Sequence, residues 1–474
     1  MAEKMAPAVE QATEKAVQRC ILAGCGAAYG VRERIYVCPR CGGPLEIEVR
    51  HSASASSPAP STTGVELQKR WAARGGSREP RDVSGVWRYR ELLPFEDTAP
   101  IVTLLEGRTP LYDAPRSAEY CGLAHLRLKH QGCNPTGSFK DTGMTAAVTQ
   151  AVLLGARTAV CASTGNTAAS LAAYAARAGL QSAILLPRGQ ISAAKLAQSL
   201  DYGAAVCEIE GNFDDCMRLI QELGDDPAIY VANSINPFRI EGQKTVAFEL
   251  MEQCNWQPPN HVVVPGGNMG NSTALGKGFQ ELLGLGLIDR LPKLHVVQAE
   301  GAAPLARLFA NLKPAELRGD APLPATMAGI PNPQTLATAI KIGAPVSWQK
   351  SLRTVVRSGG SILSVTEQEI ADAKAIIGRD GIGCEPASAT TVAGMKKLLA
   401  AGRVGREESV VGVLTGHVLK DPDYVGRYHN GSLVSGSGQN DSAAPRPIAS
   451  TFANPPERVA ASKAAILENL ARRR

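Results

Sequence analysis

From about residue 86 to residue 426 the chain alternates short apolar, β-branched runs with longer Ala-rich stretches. AVCAST, SAILLP, AAVCEI, AIYVAN, HVVVPGG, LHVVQAE and VVGVLTG form the first set. MTAAVTQAVLLGA, TAASLAAYAARAG and ISAAKLAQSLDYG belong to the second. Unbroken apolar runs suit strands buried on both faces, and the intervening stretches suit crossover helices. The pattern predicts an α/β fold with open, mostly parallel sheets. No period of roughly 20 to 50 residues recurs, which argues against a solenoid.

The flanks lack this pattern. HSASASSPAPSTTG (51–64) is too poor in apolar residues to order itself, and RWAARGGSREPRD continues it. The expected organisation is a Cys-bearing unit at 16–50, a linker at 51–85, a catalytic body at 86–430 and a flexible tail at 431–474. The opening MAEKMAPAVEQATEKAVQR interleaves acids and bases without an apolar core, so it does not read as a secretory signal. No run approaches the roughly 20 apolar residues of a membrane span. A cytoplasmic protein without a membrane partner is expected.

Composition changes the picture little. Aromatic residues make up only 5% of a chain with 47 glycines, which suits an α/β enzyme better than a protein that stacks bases on rings. The formal charge is +6, but the last 45 residues hold six Lys/Arg against three Asp/Glu, so half the excess lies in the tail. No nucleic-acid partner is expected.

Of eleven cysteines, Cys20, Cys25, Cys38 and Cys41 fall within 22 residues, the second pair as CPRCGGP. A C-x2-C turn followed by glycines aims two sulfurs at one ion, and clustered thiols in a reducing compartment suggest metal. The spacing predicts a zinc ribbon, with four unrelated thiols as the alternative. Four sulfur ligands leave no position for water, so such a site would be structural.

The candidate chemistry lies in strand-to-helix turns, where open α/β sheets bind ligands. Lys140, in QGCNPTGSFKD, opens a helix expected from about 141 to 154. A helix N-terminus disfavours a cation and makes the neutral amine accessible, as imine chemistry requires; the alternative is a surface lysine. STGNT (163–167) offers hydroxyls and free amides to an anion, beyond what one helix cap needs. PGGNMGN (265–271) fits neither the G-x-G-x-x-G nor the P-loop spacing and reads as a small phosphate cup. Thr415, in VLTGH, could meet a heterocyclic nitrogen or merely end its strand.

Together these turns resemble the pyridoxal-phosphate enzymes of the tryptophan-synthase β type, fold type II, and within them the threonine synthases. NSINPFRIEGQKT (233–245) and TLATAIKIGAPVSW (335–348) carry the narrower resemblance, with CEPASA and TGHVLKDP in support. Some members also carry an N-terminal zinc ribbon. The resemblance implies two α/β subdomains and pyridoxal 5'-phosphate on Lys140, with Asn166 at its 3′-oxygen and Thr415 at its ring nitrogen. It places Gly267, Asn268, Met269, Gly270 and Asn271 around the cofactor phosphate. Ser163, Thr167, Asn233, Ser234, Arg239 and Asn268 would face the phosphate of O-phosphohomoserine, which with water would yield threonine. A homodimer is also implied. A threonine dehydratase or cysteate synthase of the same fold is the nearest rival. Met269 and Val418 depart from the usual pattern and bear on pocket shape.

Overall fold

Strand propensity and burial build two parallel sheets. The computed structural model describes residues 15–50, 64–163, 165–188, 193–435 and 446–472. Strands run β1 (Ala16–Cys20), β2 (Ala28–Gly30), β3 (Leu45–Val49), β4 (Leu111–Asp113), β5 (Leu126–His130), β6 (Thr158–Ala162), β7 (Gln181–Pro187), β8 (Ala205–Ile209) and β9 (Ile229–Val231). They continue as β10 (His261–Pro265), β11 (Lys293–Ala299), β12 (Ile362–Val365) and β13 (Val410–Leu414). The larger sheet has the order β12-β11-β10-β13-β5-β4, parallel except for the β4 edge. The smaller, β8-β7-β6-β9, is wholly parallel. All seven predicted apolar runs are strands. The run HVVV is buried along its whole length in β10, as a strand covered on both faces must be.

Helices Lys140–Leu153 and Phe238–Gln253 pack side by side between the sheets. Gly242 makes this possible, because a Cβ there would lie 1.9 Å from the Thr142 carbonyl oxygen. The close crossing brings the start of one helix, with Lys140, near the start of the other, with Arg239.

The flanks depart from expectation. Residues 51–63 lie outside the described residues, but the supposed linker is helical from Gly64 to Ala73. Trp71 on this helix is fully buried, edge-on to Tyr89 at 5.0 Å and stacked near Trp256 at 5.8 Å, and its indole donates to Glu91. Leu67 and Trp71 are spaced one helical turn apart, a face hidden in the sequence by the surrounding Arg and Gly. The tail also packs in part: Leu433 and Ile448 are buried with Tyr424 and Tyr428. Residues 436–445 of the tail are not described.

The N-terminal unit is a three-stranded antiparallel sheet, β2-β1-β3. It is docked on the body. Ala16 and Ile47 share a core with Trp87, Phe95, Ala146 and Phe238.

Candidate active site

Hydrogen bonds join the turns after β5, β6 and β13, from Phe139 to Thr415 and from Asn166 through Glu385 to Thr415, and the turn after β10 is joined to the segment after β9 through Asn268 and Ser234. Lys140 is the first residue of its helix, half-buried, with its ammonium 4.2 Å from the Phe139 ring centre. Burial pulls its amine down to about 7, helped by the positive charge of Arg239 and opposed by Glu385. A lysine so placed is largely neutral at slightly alkaline pH, whereas an ordinary one is not. Its loop is held by Asp141, whose buried carboxylate accepts from the Thr136 amide at 2.7 Å and from the Thr136 and Ser170 hydroxyls at 2.6 Å. Burial raises the Asp141 carboxyl to about 6.

Thr415 directly follows β13, and its carbonyl accepts from the Phe139 amide at 2.9 Å, which ties it to the Lys140 loop. Its hydroxyl donates to Glu385 Oε1 at 2.8 Å and lies 3.0 Å from the Ser388 hydroxyl. Glu385 Oε2 accepts from the Asn166 amide at 2.9 Å. Lys140, Asn166 and Thr415, far apart in sequence, thus border one space. Glu385 and Ser388 went unassigned in sequence reasoning, although CEPASA put a carboxylate directly before the proline that opens helix Pro386–Ala400.

The glycine cup lies between β10 and helix Gly270–Gly284. A Cβ on Gly266 would stand 2.7 Å from Val296, so only glycine lets the backbone pass this close to β11. Met269 takes a left-handed φ of 65°, turns its side chain into the core and leaves its carbonyl accepting from Ser272 and Thr273. Both side-chain polar atoms of Asn271 are buried without a partner. An orphaned amide at the mouth of such a cup fits an incoming phosphate, because burying it unpaired is costly. Asn268 bridges toward the other loops: its amide donates to Ser234 at 3.3 Å and its Oδ1 accepts from the Val346 amide at 3.0 Å.

Arg239 is only 2% exposed. Its Nη1 donates to the Ala232 carbonyl at 3.1 Å, its Nε is unpartnered, and no carboxylate among the described residues pairs with it. Burial lowers its guanidinium to about 10. Asn233 Oδ1 accepts from the Ala162 amide at 3.0 Å and its Nδ2 donates to the Ala162 carbonyl at 3.1 Å. With both ends engaged, Asn233 ties the segment after β9 to the end of β6, next to Ser163. Ser163 caps its own turn, accepting from Gly165 N at 3.3 Å, and Thr167 is buried one residue into the helix; Thr164 lies outside the described residues.

In the N-terminal unit, the Sγ atoms of Cys20, Cys25, Cys38 and Cys41 all lie within 4.8 Å of one another. Cys20 and Cys41 are 3.5 Å apart, Cys25 and Cys38 3.7 Å. A tetrahedral ion with metal–sulfur bonds of about 2.3 Å spaces its ligands by about 3.8 Å, so the set fits one ion. Each knuckle is built by backbone turns, Cys25 N to Leu22 O at 2.9 Å and Gly42 N to Cys38 O at 2.8 Å.

A basic amine at a helix start, a glycine cup and a hydroxyl at a strand end between two parallel sheets define a pyridoxal-phosphate dependent enzyme, and residues 102–416 match that family. The fold is shared with a fungal L-serine ammonia-lyase from Rhizomucor miehei (TM-score 0.57, 18% identity, 70% of this chain and 100% of that one). It is shared equally with threonine deaminase isoform 2 from Solanum lycopersicum (TM-score 0.54, 17% identity, 65% and 83%). Sequence similarity is narrower. The chain is 46% identical to threonine synthase from Methanocaldococcus jannaschii, over 86% of this chain and 93% of the relative. The corresponding values are 44%, 85% and 92% for Methanosarcina acetivorans, and 47%, 71% and 88% for Mycobacterium leprae. The chain belongs to the threonine synthases, pyridoxal-phosphate dependent lyases of threonine biosynthesis.

Proposed function

We propose that the cleft converts O-phospho-L-homoserine and water to L-threonine and phosphate, with Lys140 as the proton carrier and Arg239 as the holder of the leaving phosphate. Pyridoxal phosphate, when bound, supplies the electron sink that makes the substrate Cα–H acidic. Lys140 would hold that cofactor by its aldehyde, Asn166 would meet its 3′-oxygen, Thr415 its ring nitrogen, and residues 267–271 its phosphate. With the cofactor in place, the Lys140 amine would take the proton from the substrate Cα, and a low basicity suits it to give a proton back. Expelling phosphate from Cγ would take a second proton from Cβ; protons returned to Cγ and later to Cα, with the oxygen of water added at Cβ, would give threonine, so that one water is consumed for each phosphate released.

The observation that carries this reading is the buried guanidinium of Arg239, which no carboxylate among the described residues pairs. A charge kept from water needs a counter-ion, and the substrate phosphate provides one at the moment it binds. Ser234, Asn268, Ser163 and Thr167 would complete the shell. The four cysteines would hold a structural zinc ion. A cytoplasmic homodimer is part of the same proposal. Borohydride reduction of the yellow purified protein should bleach it and leave the label on Lys140. A label on another lysine would overturn the assignment.

A further inference from the structure

The segment 229–241, which carries Ser234 and Arg239, is gripped from two sides by the cysteine-bearing unit. On one side, Tyr36 Oη accepts from the Val231 amide at 2.8 Å, its ring meets Tyr230 edge-on at 6.0 Å, and Arg34 donates to the Ile229 carbonyl at 3.2 Å. Val231 directly precedes Ala232, whose carbonyl holds the Arg239 guanidinium. On the other side, Lys277 donates both to the Ile47 carbonyl of β3 and to Glu241, two residues beyond Arg239. Ile47 also packs on Phe238 at the start of the same helix. Lys350 donates to the Leu45 carbonyl, one of the further bonds seating the unit.

Tyr36 lies two residues before Cys38, so the sulfur knuckle determines where its hydroxyl stands. We infer that the cysteine-bearing unit is the support on which the substrate anion site is held, with Tyr36, Arg34 and Lys277 as positioning residues, so that metal occupancy sets affinity for phosphate. The inference rests on the reading of Arg239 as the phosphate holder. Loss of the metal loosens the knuckle and releases Val231. Arg239 then loses the fixed carbonyl that aims it. The cofactor cup at 266–271 meets segment 229–241 through the Asn268–Ser234 bond at 3.3 Å but is anchored by further bonds to β11 and to residues 346–347, so it keeps its shape.

The test uses the full-length holoenzyme and inorganic phosphate as a competitive inhibitor. Tyr36→Phe should raise both the phosphate inhibition constant and KM about three- to tenfold, with kcat within about twofold and cofactor content unchanged. Cys38→Ser/Cys41→Ser should do the same by about tenfold or more. Zinc returned to chelator-treated wild type should restore the constant. If the cysteine variant does not fold, Tyr36→Phe decides alone. Variants that lower the unfolding temperature while leaving phosphate inhibition and KM at wild-type values would overturn the inference. Arg239→Ala separates the two readings: phosphate inhibition unchanged in that variant defeats the Arg239 assignment itself, whereas weakening there but not in Tyr36→Phe defeats only the support role.

Discussion

Glu385 and Asn166 come from segments more than two hundred residues apart, and the carboxylate of Glu385 accepts the Asn166 amide at 2.9 Å while its other oxygen accepts Thr415 at 2.8 Å. One buried acid therefore sets the rotamers of both side chains proposed to meet the cofactor ring. Burial raises its carboxyl above the ordinary range. Glu385→Gln keeps the shape but leaves one of the two donors facing an amide N–H. Cofactor affinity, read by titrating cofactor-free protein with pyridoxal phosphate, should fall about five- to hundredfold. An unchanged affinity would show that the two contacts do not depend on it.

Lys140 gives a pH prediction with a definite sign. Its amine is drawn down to about 7, first by burial and then by Arg239, against the pull of Glu385. Below that pH the ammonium dominates, so capture of pyridoxal phosphate by the cofactor-free protein should accelerate as pH rises through about 7. Arg239→Ala removes a neighbouring cation, which favours the ammonium and moves the midpoint up. Glu385→Gln removes an anion and moves it down. Stopped-flow absorbance at a series of pH values measures both shifts.

Trp71 tests the correction at the N-terminal flank. Because the ring is fully buried among Tyr89, Phe248 and Trp256, Trp71→Ala should cost about 3 to 5 kcal/mol in urea unfolding. A flexible linker would lose nothing. Deleting residues 1–60, which a tethered accessory unit would tolerate, should likewise impair the enzyme by exposing Phe238 and Glu241.

The sequence was legible where one property decided the outcome. HVVV reads directly as a strand covered on both faces, whereas AAVCEI is the largely exposed edge strand β8; Lys140, Asn166 and Thr415 stand in turns that each keep a simpler alternative when taken singly and point to one site only when read together. Glu385 was harder because its role depends on two partners that only the fold assembles. The bonds of Asn233 were hidden for a related reason: only the β6–β9 pairing brings the Ala162 backbone to both ends of its amide. The docking of residues 16–50 was invisible because it runs largely through backbone carbonyls such as those of Leu45 and Ile47, which carry no side-chain signature.

Metal content offers a check independent of turnover. Elemental analysis of protein purified without chelator should find about one zinc per chain, lost in Cys38→Ser/Cys41→Ser. A metal-free wild type would leave the four sulfurs as simple thiols.

In the proposed function, Arg239 holds a phosphate leaving group in a lysine-driven site. It is tested most directly by following phosphate release and threonine formation from O-phosphohomoserine in wild type and Arg239→Ala, at equal cofactor loading. Equimolar products are expected from wild type, with a loss of about ten- to hundredfold in kcat/KM for the variant and no turnover of unphosphorylated homoserine by wild type. Equal rates in the two proteins, or wild-type turnover of homoserine, would contradict it.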